Sequence, residues 1–445
     1  MSKKPQLTLI QPPILEEKYP GVPFRFDPLS LLVIASLTPW EDFDVRIIDD
    51  SFACSLDTNI DLNSALVGIT VVNVGASAAY ELAHIYREHG IPVILGGAHV
   101  TMNPEDAAPH ADCIVIGEVE NEWGNILADF RAGKLKSVYH CAPPNPINIT
   151  IDRDFIPDYK NEYPLLSAIQ TTRGCPNRCE FCAPAMIYGQ QIRHRPVADV
   201  VAELKTLKAR YGRDVIGFTD DNISGDRAYL RELLTALIPL KIHWASQMCL
   251  DVARDEELLD LIQRSGCFCA FIGLESVNQA TLREINKNLD IDEIPQLLAR
   301  FRDRRIMVIG SFSIGHDQDD EHVFADTLAF CHKNDIEFPL FVPLTAYKGL
   351  RLYNRLEGED RLQGTPEDDP ITGMPFQPRH VTFEELSARV AQMYRDYYTV
   401  GHLAKTFLRN IVKGEWWKIG YMAAFTRRYH KNFSKLLDKS GLWKC

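Results

Sequence analysis

Residues 165–182 read LLSAIQTTRGCPNRCEFC. Leu165 to Gln170 is an apolar run of strand length, and it passes directly into Thr171-Thr172-Arg173-Gly174-Cys175-Pro176-Asn177-Arg178-Cys179-Glu180-Phe181-Cys182. A short apolar run bounded by Gly and Pro fits a buried strand, so the cysteines fall on the loop that leaves it. Their spacing is Cys-x3-Cys-x2-Cys, three thiols within eight residues. Thiolates so placed can wrap a compact cluster, but a [4Fe-4S] cube ordinarily takes four protein ligands. One iron is then left open, and an open coordination position is what a catalytic metal keeps and a structural one closes. The competing reading is a zinc site completed by Cys267 or Cys269, although the paired short spacings of zinc ribbons and fingers are missing. Cys267-Phe268-Cys269 reads more simply as buried strand with both thiols on one side.

The composition around this loop is that of a globular chain. Of 445 residues 46% are apolar, enough for a sizeable core and two or three domains. With 60 acidic and 48 basic residues the net charge is -12, which argues against nucleic acid as a partner. The N-terminal MSKKPQLTLIQPP holds too short an apolar run for a signal peptide, and no membrane-spanning run follows, so a soluble cytoplasmic protein is expected. In that reducing compartment the eleven cysteines are thiols or metal ligands rather than disulfides. Cys54, Cys113, Cys141, Cys249 and Cys331 stand singly and read as small buried hydrophobes.

Downstream, strands at Val215 to Thr219, Ile242 to Gln247, Cys269 to Gly273, Met307 to Ile314 and Phe338 to Leu344 alternate with helices at Val197 to Tyr211, Arg227 to Leu237, Glu256 to Arg264, Ile294 to Arg304 and His322 to Asn334. With the first strand these make six β/α units, a partial (β/α)6 TIM-type barrel over residues 165–350 with its functional groups at the strand ends. Those ends carry Asp220-Asp221-Asn222, Gln247, Gly273-Leu274-Glu275-Ser276 and Gly310-Ser311. Helix capping competes for the Asp-Asp-Asn run, and an ion pair to Lys287 or Arg283 competes for Glu275.

Upstream, residues 1–140 alternate apolar strands (Leu7 to Ile10, Val45 to Ile48, Leu66 to Val72, Pro92 to Leu95, Cys113 to Ile116) with helices, a Rossmann-like doubly wound α/β domain. Its strand ends place Gln11-Pro12-Pro13, Asp49-Asp50, Asn73 to Ser77, Gly96-Gly97 and Gly117-Glu118 on one rim, where ligands bind in such sheets. Paired glycines at Gly96-Gly97 would let backbone approach a ligand, and ordinary turns are the alternative. No G-x-G-x-x-G or G-x-x-x-x-G-K-[ST] opens a helix, which leaves nicotinamide and nucleoside triphosphates unsupported. A linker rich in proline, Cys141-Ala142-Pro143-Pro144-Asn145-Pro146, opens residues 141–164 between the domains.

The cysteine loop, with Phe181 just before its third cysteine, resembles the radical S-adenosylmethionine (SAM) superfamily. The first domain resembles that of the cobalamin-binding members, on Asp27-Pro28-Leu29-Ser30-Leu31-Leu32, Arg46-Ile47-Ile48-Asp49, Val67-Gly68-Ile69-Thr70, Gly90 to Val100 and Ile116-Gly117-Glu118-Val119-Glu120. Further matches at Arg193-His194-Arg195-Pro196, Phe218-Thr219-Asp220-Asp221-Asn222, Phe271 to Ser276 and Gly310-Ser311-Phe312 place the likeness nearest the hopanoid C-2 methylase-like branch. Ser30 and Val119 stand where the family usually has Gly, the motif Asp-x-His-x-x-Gly is absent, and Leu344-Thr345-Ala346-Tyr347-Lys348-Gly349-Leu350 departs from that branch's Pro-Gly-Thr turn.

The resemblance implies a cluster on Cys175, Cys179 and Cys182 whose open iron takes SAM, and reductive cleavage of SAM to a 5'-deoxyadenosyl radical. It further implies SAM contacts from Phe181, Asp220, Asp221, Asn222, Gln247, Glu275, Ser276 and Gly310, and a cobalamin bed near Asn73, Gly96, Gly97, Gly117 and Glu118. Methylcobalamin would then methylate an unactivated carbon of a small-molecule or lipid-like substrate, with flavodoxin or ferredoxin as electron donor. Radical cyclisation, rearrangement or carbon-carbon coupling without methyl transfer is the second reading, and a non-catalytic cobalamin or redox sensor the third. Residues 351–445 read as a helical cap, with Leu386, Val390, Met393 and Tyr397 at helical spacing. The tail from Ile411 has eight basic residues against two acids and interleaves Trp416, Trp417 and Trp443. It suits a cap over the barrel mouth better than a membrane surface.

Overall fold

The computed structural model describes residues 4–13, 26–51, 59–363 and 376–412. Cys54 and the tail with its three tryptophans lie outside them. The chain divides into two compact units, one holding the first strand with Arg25–Cys175 and Ala183–Gly217, the other Pro176–Cys182 and everything from Phe218 onward.

In the first unit β1 (Gln6–Gln11), α1 (Leu29–Leu37), β2 (Asp44–Asp49), β3 (Leu66–Thr70), α2 (Ala76–Glu88), β4 (Val93–Gly96), α3 (Ala98–Met102), α4 (Pro104–Ala107), β5 (Cys113–Gly117), α5 (Trp123–Arg131) and β6 (Val138–Cys141) follow in order. The six strands form one parallel sheet ordered β2-β1-β3-β4-β5-β6. Alternation along each strand feeds two cores. Leu7, Leu9, Leu66, Ile94 and Val115 enter one, while Ile10, Val67, Ile69, Val93, Leu95 and Ile114 enter the other. That is the Rossmann-like, doubly wound sheet read from the apolar runs. The sequence missed β6, because Val138-Tyr139-His140-Cys141 is short and half polar, and so Cys141 ends a strand that pairs with Gly117 rather than opening the linker.

The same unit continues through α6 (Tyr159–Glu162), β7 (Ser167–Ile169), β8 (Thr172–Arg173), α7 (Pro184–Ile187), β9 (Arg193–His194), α8 (Val197–Tyr211) and β10 (Val215–Phe218), whose last residue begins the second unit. Here β7 lies beside β10, and β8 pairs antiparallel with β9. Arg153, 2% exposed, ties the region together by reaching Asp27 (2.8 Å), Glu203 (2.7 Å) and the Ala168 carbonyl (2.6 Å).

The second unit adds α9 (Arg227–Leu237), β11 (His243–Gln247), α10 (Glu256–Arg264), β12 (Cys267–Glu275), α11 (Gln279–Glu284), α12 (Ile294–Asp303), β13 (Met307–Ile314), α13 (Val323–Lys333), β14 (Phe338–Pro343), α14 (Arg351–Gly358), α15 (Phe383–Tyr397) and α16 (Val400–Val412). Strands β11 to β14 pair in sequence and in parallel. All six strands expected of the partial (β/α)6 barrel are present, each within a few residues of its expected span. Helix starts follow from local chemistry: Asp226, Asp255, Asn278 and Thr382 cap α9, α10, α11 and α15 through their side-chain oxygens. Leu386, Val390, Met393 and Tyr397 are all buried along α15, as their spacing requires.

Candidate active site

Cys175, Cys179 and Cys182 lie between β8 and α7, and all three are half-buried. The chain turns into this loop at Gly174, where φ is +95° and a Cβ would strike the Gln191 carbonyl. Only glycine satisfies both demands. The Cys175 N–H donates to the Gly189 carbonyl at 3.2 Å, and the Cys182 N–H to the Cys179 carbonyl at 3.4 Å. The β8–β9 ribbon at the base of the loop is braced by charge. Glu118 accepts from Arg173 and from Arg193, and Glu120 pairs with Arg173 at 2.6 Å, with all four side chains buried. The carboxylate of Glu118, expected on a cofactor rim, is therefore used to anchor that ribbon.

The second unit holds the later part of the loop by other means. Asn177 donates its amide to the Cys249 sulfur at 3.5 Å, and the Cys249 N–H donates to Ser224 Oγ at 3.0 Å. Cys249, read from sequence as a buried hydrophobe, is half-buried and serves as a tether. Phe181 packs against the apolar cluster to which Leu344, Leu352 and Leu356 belong and meets His316 edge-on, with ring centroids 5.8 Å apart.

At the strand ends Asp220 is fully buried after β10, and Asn222 spends its side-chain oxygen on Ser224, accepting from the backbone N–H at 3.2 Å and from Oγ at 2.7 Å. Gln247 is exposed at the end of β11. Glu275 sits at φ +67°, where the pairing of β12 with β13 slips, and accepts from Lys287 at 3.2 Å. A non-glycine residue in that conformation is strained. Burial alone would pull the Lys287 ammonium down, but Glu275, with Cys249 and Cys179 behind it, holds it above its ordinary range. The pairing of Glu275 with Lys287, one of two sequence alternatives, is thus the observed one. Ser276 Oγ accepts from the Asn278 N–H at 3.0 Å, which forms the turn into α11. A Cβ on Gly310 would stand 3.0 Å from Leu274 and 3.3 Å from Ile336. Its missing side chain makes room for core packing.

The rim glycines of the first unit also stand against close neighbours. Gly97 has φ +106°, and its Cβ would lie 2.8 Å from the Val71 carbonyl; Gly117 has φ +92° and its Cβ would meet the Cys141 carbonyl. Both are demanded by neighbouring backbone within the sheet, without appeal to a ligand. Gly96 has only an ordinary contact with Val115 at 3.7 Å. Asn73 accepts at 3.0 Å from His99 Nδ1, whose Nε2 faces Asp106 at 2.8 Å, and Tyr80 donates to the same carboxylate at 2.6 Å. Burial would raise Asp106, but Tyr80 and His99 outweigh it and hold the carboxyl below its ordinary range. Ser30 is exposed, and Val119 packs into the core around Leu9 and Trp123.

Among the described residues no group of three or more His, Cys, Asp or Glu side chains gathers as a single metal ion requires. A cube of four irons spreads its thiolates wider, and three half-buried cysteines on one glycine-led loop supply the donor set it needs. Among the described residues three buried cysteines do not compete. Burial pushes Cys113 up to about 12 and Cys141 up to about 11, and drives Cys267 well above the ordinary range, so these stay neutral thiols. The first sheet reverses its strand order between β1 and β3, and Gln11-Pro12-Pro13 and the turn at Asn73 follow those two strands, the place where ligands bind in such sheets. Among the described residues no helix is long and apolar enough to cross a membrane.

Residues 169–331 match the family model described as the Radical SAM superfamily, and residues 22–127 match the B12 binding domain. The chain belongs to the radical SAM superfamily and carries a B12-binding domain ahead of its radical SAM domain. It is an enzyme of that class, and the cofactors of its two domains are a [4Fe-4S] cluster with SAM, and cobalamin. It is similar to the bacteriochlorophyllide d C-12(1)-methyltransferase of Chlorobaculum tepidum, 28% identical across 90% of this chain and 89% of that protein. The hopanoid C-2 methylase of Rhodopseudomonas palustris is 26% identical across 75% of this chain and 65% of that protein. Among solved structures, the radical S-adenosylmethionine methyltransferase TsrM from Kitasatospora setae, with cobalamin and [4Fe-4S] cluster bound, shares the fold at a TM-score of 0.66, covering 87% of this chain and 85% of that one at 17% identity. The resemblance, fold class and cofactors expected from sequence are borne out.

Proposed function

We propose that the protein is a cobalamin-dependent radical SAM methyltransferase that adds a methyl group to an unactivated carbon of a small, apolar polycyclic or lipid-like molecule. One observation carries this reading: a single chain joins a B12-binding domain to a Cys-x3-Cys-x2-Cys loop at the start of a radical SAM domain. When bound, the cluster supplies the electron that cleaves SAM, and cobalamin carries the methyl group. Cys175, Cys179 and Cys182 would hold the cluster, with one iron left for SAM. Asp220, buried at the end of β10, accepts the amino group of SAM, while Asp221, Asn222, Gln247, Glu275, Ser276, Gly310 and Phe181 border the same cofactor. Asn73, Gly96, Gly97, Gly117 and Glu118 belong to the cobalamin side.

In this reading residues 1–140 are the cobalamin domain, 141–164 the linker, 165–350 the radical SAM barrel and 351–445 a helical cap. Two relatives named for bacteriochlorophyllide and hopanoid chemistry favour an apolar ring system as substrate. A cytoplasmic flavodoxin or ferredoxin serves as electron donor, and no nucleic acid takes part. The test is anaerobic reconstitution with iron, sulfide and hydroxocobalamin, followed by metal analysis and turnover with SAM and reductant. Four irons and one cobalt per chain, with a product heavier by one CH2, are expected. Four irons without cobalt would leave radical SAM chemistry standing and end the methyl-transfer reading.

A further inference from the structure

The contacts of α14 converge on one target. The Leu352 N–H donates to the Glu180 carbonyl at 3.0 Å, and the Arg351 guanidinium donates to the Arg178 carbonyl. Arg355 forks onto the Glu180 carboxylate, with Nε at 3.1 Å from one oxygen and Nη2 at 2.8 Å from the other. Arg178 and Glu180 are the two neighbours of Cys179 in the chain. The guanidinium is itself fixed from behind: Nη1 donates to Asp317 at 2.8 Å, and Asp317 is also held by Arg361 at 2.7 Å and 3.1 Å. Phe181 packs against the apolar cluster to which Leu352 and Leu356 of the same helix belong. An arginine gripped by two carboxylates cannot follow a moving loop, and its planar fork dictates the orientation of what it grips.

We propose that Arg355 is a positioning residue for the iron-sulfur cluster, acting through Glu180 to set the direction of the Cys179 thiolate and hence of the iron left open for SAM. The proposal rests on the radical SAM reading. A lysine cannot take this place, because an ammonium is a point donor and cannot span both oxygens of Glu180 while reaching Asp317. The role also differs from support of the fold at large, since it predicts a change confined to the cysteine loop.

The experiment uses the full chain, first without cluster. Alkylation rates of individual cysteines are read by mass spectrometry for the wild type and for R355A, R355K and E180Q. Losing a charged fork that holds the loop shut is expected to speed alkylation of Cys179 about tenfold in R355A and E180Q, while buried Cys113 and Cys331 keep their rates. R355K is expected to recover less than half of the protection. After anaerobic reconstitution, the change that SAM produces in the electron paramagnetic resonance spectrum of the reduced cluster should be lost or broadened in R355A. Cys179 rates within twofold of wild type, or a parallel rise at Cys113 and Cys331, would overturn the proposal. A wild-type protein that takes up no cluster would sink the radical SAM reading instead, while the thiol rates would still judge Arg355.

Discussion

The strand ends of the first unit and those of the second are built from different materials. In the first, Gly97 and Gly117 let backbone segments cross at contact distance, and Asn73, His99, Asp106 and Tyr80 join in a hydrogen-bonded chain. In the second, the loop that carries Cys179 is flanked by buried or half-buried charge: Lys287 on Glu275, and Arg355 on both Glu180 and Asp317. A rim shaped by close backbone yields when a side chain is added, whereas one shaped by ion pairs yields when a charge is removed. The second kind of change is costlier, because the abandoned partner stays desolvated.

Asp317 therefore gives the largest expected effect. Its carboxylate is 7% exposed and faces Arg355, Arg361 and Arg379. Burial alone would raise it, but Arg361 and Arg355 bring it down to about 2 from an ordinary 3.8. Removing the charge with Asp317→Asn leaves guanidinium groups unmatched and should cost about 3 kcal/mol, measured by urea denaturation. The sign of the pH dependence follows: a depressed carboxyl stabilises the fold above 3.8, and that contribution is lost as the pH falls toward about 2. The variant should lack this part of the acid transition. Equal stability of variant and wild type at pH 7 would break the contrast between a rim set by close backbone and a loop held by ion pairs.

The glycines sharpen the other half. Gly97→Ala adds a Cβ 2.8 Å from the Val71 carbonyl at a φ that side chains avoid, and should cost roughly 2 kcal/mol in thermal unfolding. Gly96→Ala, one residue earlier, meets only Val115 at 3.7 Å and should change stability by less than about 1 kcal/mol. If the two variants are equally stable, backbone crossing is not what the Gly-Gly pair serves.

How far the sequence could be read depended on the range of the forces involved. Strand and helix order was legible because alternation and 3.6-residue spacing are local, and Leu386 to Tyr397 fall on one face of α15 as read. The cysteine loop was legible because its three ligands lie within eight residues. What holds that loop was not. Glu180 and Arg355 are 175 positions apart, Asn177 and Cys249 are 72 apart, and nothing in either neighbourhood marks the pairing. Gly97 was noticed for the right reason, freedom from a side chain, but the space it opens is filled by backbone. Glycine in a sequence signals a close approach without saying to what.

An effect smaller than that of Asp317 or Gly97 belongs to His99, the member of the first rim with an obvious metal-binding side chain. Both of its ring nitrogens already face oxygen acceptors, Asn73 at 3.0 Å and Asp106 at 2.8 Å, so neither lone pair is offered outward. The histidine joins α3 to the turn at Asn73, and its replacement by alanine should cost about 1 kcal/mol, the worth of an ordinary hydrogen bond. Cobalt coordination is expected to be indifferent to it. The Co(II) electron paramagnetic resonance spectrum of the reconstituted protein should show no imidazole nitrogen splitting, and His99→Ala should leave that spectrum unchanged. Nitrogen splitting present in the wild type and lost in the variant would mean that the hydrogen-bonded chain opens when cobalamin arrives, and the first rim would then be the more plastic of the two.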